Sequence, residues 1–412
     1  MSEASRSDSM RGDGRAAGGR VHQSFSPDGR PRARALGIAP DGTPGPWNAI
    51  TDVAGIEVGY QTLIAGDGPL RVGAGPVRTG VTAILPRGRS GLGRPCAAGR
   101  YSLNGNGEMT GTAWIDEVGQ LSMPVTISNT HAIGACHTGA IQWINQTDPA
   151  LAREWLLPVC AETWDGYLND INGGHVTPEL VVAALDSTRS GPLDEGSVGG
   201  GTGMNCYAFK GGSGTASRLV EFGPHTYTVG VFLQANFGSR RELTIRGVRV
   251  GDRLTVGNPM ETTDWGTAPH RSPAAPGGSG SVIVIVATDA PLDPLQCTAM
   301  ARRVPFGLAR TGTTGSLFSG DLFLAFSTAG DRRSDTGFPS GAPTAADLVT
   351  AARLPWNRMD PMYTAVVEAV EEAVLNALIV NTSMTGRDGH HSAALPHDQL
   401  KALLANGAPA GK

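Results

Sequence analysis

Lysine, charge and paired cysteines are scarce in this chain of 412 residues. Only Lys210, Lys401 and Lys412 carry an ammonium side chain. A Schiff-base mechanism needs a lysine amine tuned by its surroundings, and Lys210 is almost the one candidate, so pyridoxal chemistry is disfavoured. Charged residues make up 17%, with 33 basic against 37 acidic for a formal charge of -4. That balance offers no broad basic surface, so nucleic acid is not an expected partner. The five cysteines, Cys96, Cys136, Cys160, Cys206 and Cys297, are odd in number, far apart and without a CxxC. They read as reduced core thiols, not as a disulfide framework or a thiolate zinc site. His131, Cys136, His137 and His175 follow no standard ligand spacing, so no metal is expected there. No apolar run approaches the roughly 18 residues of a membrane span. Residues 1–35, rich in Arg, Gly, Ser and Asp, hold no signal-peptide core. The expectation is a cytoplasmic protein without a membrane partner, opening on a disordered N-terminal tail at 1–35.

Apolar residues make up 40% and glycines number 58. This is enough for a sizeable core built from short elements that turn often. A strand is expected within 36–65 and another at 79–86. Two strands are expected across 111–128 around a turn at 117–120, then a helix capped by Ser128 or Asn129, with Ile133, Cys136, Ala140, Ile141 and Ile144 on one face. The apolar run 156–161 should deliver Glu162 and Tyr167 into a polar loop, and Thr177-Pro178 should open a helix over 180–185. Strands are expected at 227–234 and 243–250. Residues 257–280 read as an exposed linker, and they stop abruptly at Ser281, where SVIVIVATDA begins a strand apolar enough to be buried on both faces. A helix should follow from Asp293, ended or kinked by Pro305. A buried strand at 320–329 comes next, then a helix over 362–380 with Glu368, Glu371 and Glu372 opposite its apolar side. The pattern reads as one catalytic domain over 36–412, of α+β class, with helices layered on stacked sheets.

The chemical anomaly is the Gly280-Ser281 junction, where a linker meets the first residue of a buried strand and that residue carries a hydroxyl. Attack of that hydroxyl on the Gly280 carbonyl would exchange the amide for an ester. Hydrolysis would then free the α-amine of Ser281. With a reference pKa near 8, such an amine can act as base for its own hydroxyl, and no histidine is needed. Glycine before the bond tolerates the strained backbone that this approach demands. GNGEMTG at 105–111 has glycine spacing that suggests a nucleotide loop. However, CAAGRYSLN before it reads as no apolar strand, and no ribose-binding acid follows at the right distance. His390-His391 reads as a solvated loop.

The blocks DGTPGPWNAITDVAGIEVGYQTL, SNTHAIGACHTGA, AETWDGYLNDINGGHVTPE, GTGMNCYAFKGGSGTASR, QANFG, GSVIVIVATDAPL and FSGDLFLAFST, in this order, resemble the L-aminopeptidase/D-amidase-esterase and β-aminopeptidase family. The resemblance implies a four-layer α-β-β-α sandwich like that of the amino-terminal nucleophile (Ntn) hydrolases, with different strand connectivity. It also implies a precursor that cuts itself between Gly280 and Ser281 into an α chain, 1–280, and a β chain, 281–412. The two chains would stay associated and assemble further, as a tetramer of α/β pairs. Carried over residue by residue, the nucleophile is Ser281 and its partners are Ser319 and Asp321, which share one side of an extended strand. Asp321 stands where β-peptidase members carry Glu, so its reach is one methylene shorter. Asn236 matches the donor to the oxyanion and Tyr167 a hydroxyl lining the same site, while Glu162 is the expected anchor for a substrate's amino group. The implied activity is removal of amino-terminal residues, L-, D- or β-, from short peptides, amino acid amides or esters, with no cofactor.

Two alternatives remain. An acyltransferase of the ornithine acetyltransferase kind would share the architecture but expose threonine, whereas here the junction residue is Ser and Thr288 lies seven places along. Production of acetylglutamate from acetylornithine and glutamate would identify it. A non-catalytic binding protein on the same scaffold would persist as one intact chain of 42.6 kDa.

Overall fold

Side-chain alternation along ten strands sorts this chain into four layers. The computed structural model describes residues 21–262, 278–330, 341–348 and 350–407. Strands β1 (Glu57–Ala65), β2 (Val77–Leu85), β5 (Val125–Asn129) and β6 (Val159–Thr163) form one sheet, ordered β1-β2-β5-β6. Strands β3 (Cys96–Ser102), β4 (Gln120–Leu121), β9 (Gly212–Phe222), β10 (His225–Gly238), β13 (Gly278–Thr288) and β14 (Ser319–Ser327) form the other, ordered β4-β3-β14-β13-β10-β9. Two-residue strands pair as β7 (Asn205–Cys206) with β8 (Phe209–Lys210), β11 (Thr244–Ile245) with β12 (Val248–Arg249), and β15 (Met384–Thr385) with β16 (His391–Ser392). The helices are α1 (Thr112–Val118), α2 (Ile133–Thr147), α3 (Pro178–Asp186), α4 (Pro259–Thr262), α5 (Pro294–Ala301), α6 (Val304–Arg310), α7 (Asp360–Ile379) and α8 (His397–Gly407).

β13 shows how the layers arise. Val282, Val284 and Val286 pack with Cys297 of α5, Leu308 of α6 and Val366 and Val370 of α7. Ile283 and Ile285 turn the other way and meet Ile127 and Val159 of the facing sheet. Val81, Ala83 and Leu85 of that second sheet pack outward on Ala140 and Ile144 of α2 and Val181 and Leu185 of α3. The result is the expected α-β-β-α sandwich. Each of the five β-branched residues from Val282 to Val286 is buried. At roughly 1.5–3 kcal/mol for each such side chain, against about 1–2 kcal/mol to fix its backbone, this run anchors the sheet and fixes Ser281, the residue just before it, between two neighbouring strands.

Several elements differ from expectation. The stretch expected to hold two strands over 111–128 begins instead with helix α1, closed by Gly119 in the left-handed region, before β4 and β5. Residues 243–250 are the tight hairpin β11-β12, because Arg246 and Gly247 both take positive φ and turn the chain. CAAGRYS, read as no strand, is β3, made by pairing with β14. Pro305 sits in the first turn of α6, where its missing N–H costs nothing, so the break falls ahead of it between α5 and α6. Glu371 and Glu372 are buried, since Glu372 meets Arg218 at 2.8 Å and Arg34 at 2.6 Å. Upstream of Leu36, Arg32 is buried and meets Glu195 at 2.6 Å, so packing starts earlier than the expected end of the tail; residues 1–20 lie outside the described part. Of the linker, 263–277 lies outside it as well, while α4 and the first residues of β13 flank it. Among the described residues no helix is long and apolar enough to cross a membrane.

Candidate active site

Three neighbouring strands bring the sequence-chosen residues together. β13 pairs antiparallel with β10, setting Ser281 opposite Asn236, and parallel with β14, setting Gly280 beside Ser319, Ser281 beside Gly320 and Val282 beside Asp321. Residues directly opposite in an antiparallel pair leave the same face of the sheet. The Ser281 hydroxyl donates to the Gly280 carbonyl at 2.7 Å and accepts from the Gly320 N–H at 3.3 Å. The hydroxyl therefore already rests on the bond it is expected to attack. Gly280 has φ +153, and a Cβ there would overlap the Asn236 carbonyl oxygen, so only glycine fits.

Beside this bond, Ser319 Oγ donates to Asp321 Oδ1 at 2.5 Å. Asn104, which sequence reasoning passed over, completes the carboxylate's shell. Its Nδ2 donates to Asp321 Oδ2 at 2.8 Å, and its Oδ1 accepts from the Asp321 N–H at 2.6 Å. Burial raises the Asp321 pKa, opposed by the Ser319, Asn104 and Val282 donors. A further signal lay in the asparagine placed just ahead of GNGEMTG, whose glycines serve close approach. A Cβ on Gly107 would come within 3.0 Å of Gly320 Cα and 3.2 Å of Glu162 Oε1. One glycine thus separates β14, the neighbour of Ser281's strand, from the expected amine anchor.

Glu162 is buried at the end of β6, within the strand and not in a loop. Its Oε1 accepts from the Glu108 N–H at 2.9 Å and its Oε2 takes the Thr130 hydroxyl. Burial raises its pKa, against the pull of those two donors. Asn236 is held at both ends: Oδ1 accepts from the Asn205 N–H at 2.8 Å and Nδ2 donates to the Trp164 carbonyl at 2.8 Å. Tyr167 is also buried, but its hydroxyl donates to the His391 carbonyl at 3.3 Å and its ring stacks on His390 at 4.8 Å. That places Tyr167 against the β15-β16 hairpin, and His390 packs on it instead of being wholly solvated. Among the other residues weighed for a metal, His175 lies 2.8 Å from Asp170, and burial pushes the Cys136 thiol up to about 12.

A hydroxyl in contact with the preceding peptide bond, a buried acid held by neutral donors and an asparagine amide across the ladder form a site suited to acyl transfer. The comparisons agree. The model of peptidase family S58 matches residues 48–392. A beta-peptidyl aminopeptidase BapA of Sphingosinicella microcystinivorans is 45% identical over 374 residues, 91% of this chain and 92% of that protein. A second, from Sphingosinicella xenopeptidilytica, is 43% identical, over 91% of each chain. The solved structure of the L-aminopeptidase D-Ala-esterase/amidase of Ochrobactrum anthropi, described as a variant of the Ntn hydrolase fold, superposes with a TM-score of 0.82 at 43% identity, covering 92% of this chain and 99% of that one. With its sequence, fold and length all matched, this chain belongs to peptidase family S58 and is a serine aminopeptidase.

Proposed function

We propose that the chain cuts itself between Gly280 and Ser281, and that the amine so freed makes Ser281 the nucleophile of an aminopeptidase acting on short peptides, amino acid amides or esters. The observation that carries this reading is the 2.7 Å contact between the Ser281 hydroxyl and the Gly280 carbonyl, at a position where only glycine fits. Oγ adds to the carbonyl carbon, the C–N bond breaks, and the departing nitrogen takes a proton to become the Ser281 amine. Water then hydrolyses the ester, leaving the Gly280 carboxylate and a free hydroxyl. Residues 1–280 and 281–412 stay associated, because β13 and β14 lie between β3 and β10 of the first piece.

In turnover the amine accepts the hydroxyl proton as Oγ attacks a substrate carbonyl, then returns it to the leaving amine. The resulting acyl-enzyme is cleared by water activated at the same amine. Ser319 orients that amine, and Asp321 favours the ammonium that forms. Asn236 Nδ2 and the Gly320 N–H donate to the oxyanion, Glu162 holds the substrate's own amino group, and Tyr167 walls the site beyond Trp164. The two relatives that carry the name beta-peptidyl aminopeptidase favour β-aminoacyl substrates. Asp321 is shorter than the Glu of the β-peptidase pattern, and Asn104 holds it from the far side. Assembly of α/β pairs into a tetramer completes the reading.

Mass measurement under denaturing conditions tests it. Two pieces are expected, the smaller beginning at Ser281, and Ser281→Ala is expected to remain one inactive chain. An active, uncut polypeptide, or a different new terminus, overturns the assignment.

A further inference from the structure

An asparagine that stabilises an oxyanion has to present its N–H and not its oxygen. The two ends of an amide are nearly the same shape, so the surroundings decide which faces the site. At Asn236 they do so by sign. A donor, the Asn205 N–H, addresses one end, and an acceptor, the Trp164 carbonyl, addresses the other. Turned over, the amide would set donor against donor and acceptor against acceptor, and would aim a carbonyl oxygen at the reacting charge. The two addressing groups lie on different segments, Asn205 in β7 and Trp164 in the loop after β6.

Each segment is fixed by a buried ionisable side chain that the mechanism does not use. Lys210, fully buried, pairs with Asn205 in the β7-β8 register. Its ammonium donates to the carbonyls of Gly211 at 2.7 Å, Met204 at 2.8 Å and Gly201 at 3.5 Å. Three carbonyl acceptors suit three N–H donors, and these carbonyls bracket Asn205. Asp165, next to Trp164 and also fully buried, accepts from Asn169 Nδ2 at 3.0 Å, and its own carbonyl accepts from the Leu168 and Asn169 N–H groups at 3.1 Å each. The segments touch where a Cβ on Gly203 would come within 2.9 Å of the Asp165 side chain. Burial disfavours the charge of both residues, pushing Lys210 down to about 7 and Asp165 up to about 7, while the Asp165 carboxylate opposes the shift at Lys210 and donors from Thr79, Asn169 and Asn129 oppose that at Asp165. A lysine and an aspartate this deep are costly to keep, and the segments they hold are the ones that address Asn236.

We propose that Lys210 and Asp165 are positioning residues, which hold the Asn236 amide in the orientation that presents Nδ2–H to the substrate carbonyl. This rests on the reading of Asn236 as oxyanion donor. The test uses the full-length protein, with kcat referred to cleaved chains counted by denaturing mass measurement. Asn236→Ala is expected to lower kcat by about 10²–10³. Lys210→Met and Asp165→Asn are each expected to lower kcat about tenfold or more with KM changed less than twofold, and to add little when combined with Asn236→Ala. Asp165→Asn keeps the acceptor toward Asn169, so it carries the test even where Lys210→Met does not fold. Parental kcat in the single variants, or losses that multiply in the double variants, overturn the positioning role and leave Asn236 as donor. Parental kcat in Asn236→Ala removes instead the reading beneath it.

Discussion

Ser281 and Asn236 stand directly opposite each other across the β10-β13 ladder, so hydroxyl and amide leave one sheet on one face. The spacing between the Ser281 hydroxyl and the Asn236 amide is therefore set by backbone pairing and not by loop conformation. β13 is central, flanked by β10 and β14, which makes the pairing hard to shift. The same register brings Gly320, without a side chain, alongside Ser281 and leaves that face open for a carbonyl.

Gly280→Ala tests the geometry of the cut. The substitution forces a side chain into φ +153 and against the Asn236 carbonyl, so the chain is expected to stay whole under conditions in which the parent is fully cleaved. Fragment yield against time on a denaturing gel measures it. Parental cleavage would show that the strained peptide is not where the chemistry occurs.

Asn104→Ala is expected to act through Asp321. It removes the Nδ2 donor from a buried carboxylate whose pKa burial already raises, and the acceptor that holds the Asp321 N–H, so ionisation becomes harder still. The acid limb of the kcat/KM profile should move to higher pH, with a loss of about tenfold at neutral pH, equivalent to about 1.4 kcal/mol. A pH–rate profile identical to the parent's would detach Asn104 and Asp321 from turnover.

Glu162→Gln addresses substrate binding. Burial raises the Glu162 pKa above its ordinary value of 4.5, so the side chain takes up its proton at a higher pH than an exposed glutamate would. KM for a substrate with a free amino group should thus rise as pH falls through that raised value. Gln at this position should raise KM about tenfold at neutral pH and abolish the trend, a loss within the range for a charged hydrogen bond. A KM that follows the same pH curve in both enzymes would take the amine anchor away from Glu162.

Acid stability should depend on Glu372. Burial works against its charge, but Arg218 and Arg34 outweigh burial and lower its pKa below 4.5. A carboxylate held below its unfolded value stabilises the fold above that value, and the stability is lost as pH falls through the folded one. Glu372→Gln is expected to cost about 3–5 kcal/mol at neutral pH, because the buried Arg218 guanidinium and the part-buried one of Arg34 lose their counter-charge. The gap between the melting curves of variant and parent should narrow below pH 4.5. A constant gap would mean that the charge contributes nothing.

The layers were legible because burial on both faces leaves a plain mark, as in the run from Val282 to Val286. Ser281 stood out by an abrupt change of composition, and Ser319, Asp321 and Asn236, which the strand register sets beside it, came from ordered blocks of resemblance. Asn104 was not legible: its role is set by a partner more than two hundred residues away, and its local signal is only that of a turn. β3 was hidden for a related reason, since CAAGRYS has little strand propensity and is made a strand by β14. Glu372 was assigned to the wrong side of its helix because periodicity counts a carboxylate as polar whether or not arginines wait for it inside.

β13 begins at Gly278, three residues before Ser281, and Gly280 donates its N–H to the Phe318 carbonyl at 3.3 Å. The stretch ahead of the nucleophile is therefore stitched into the sheet as long as the chain is whole. On the cleavage proposed above, an unbroken molecule would carry its own stopper: whatever enters the site would have to wait until 278–280 had let go of its neighbours, and a newly made copy would be dormant by construction.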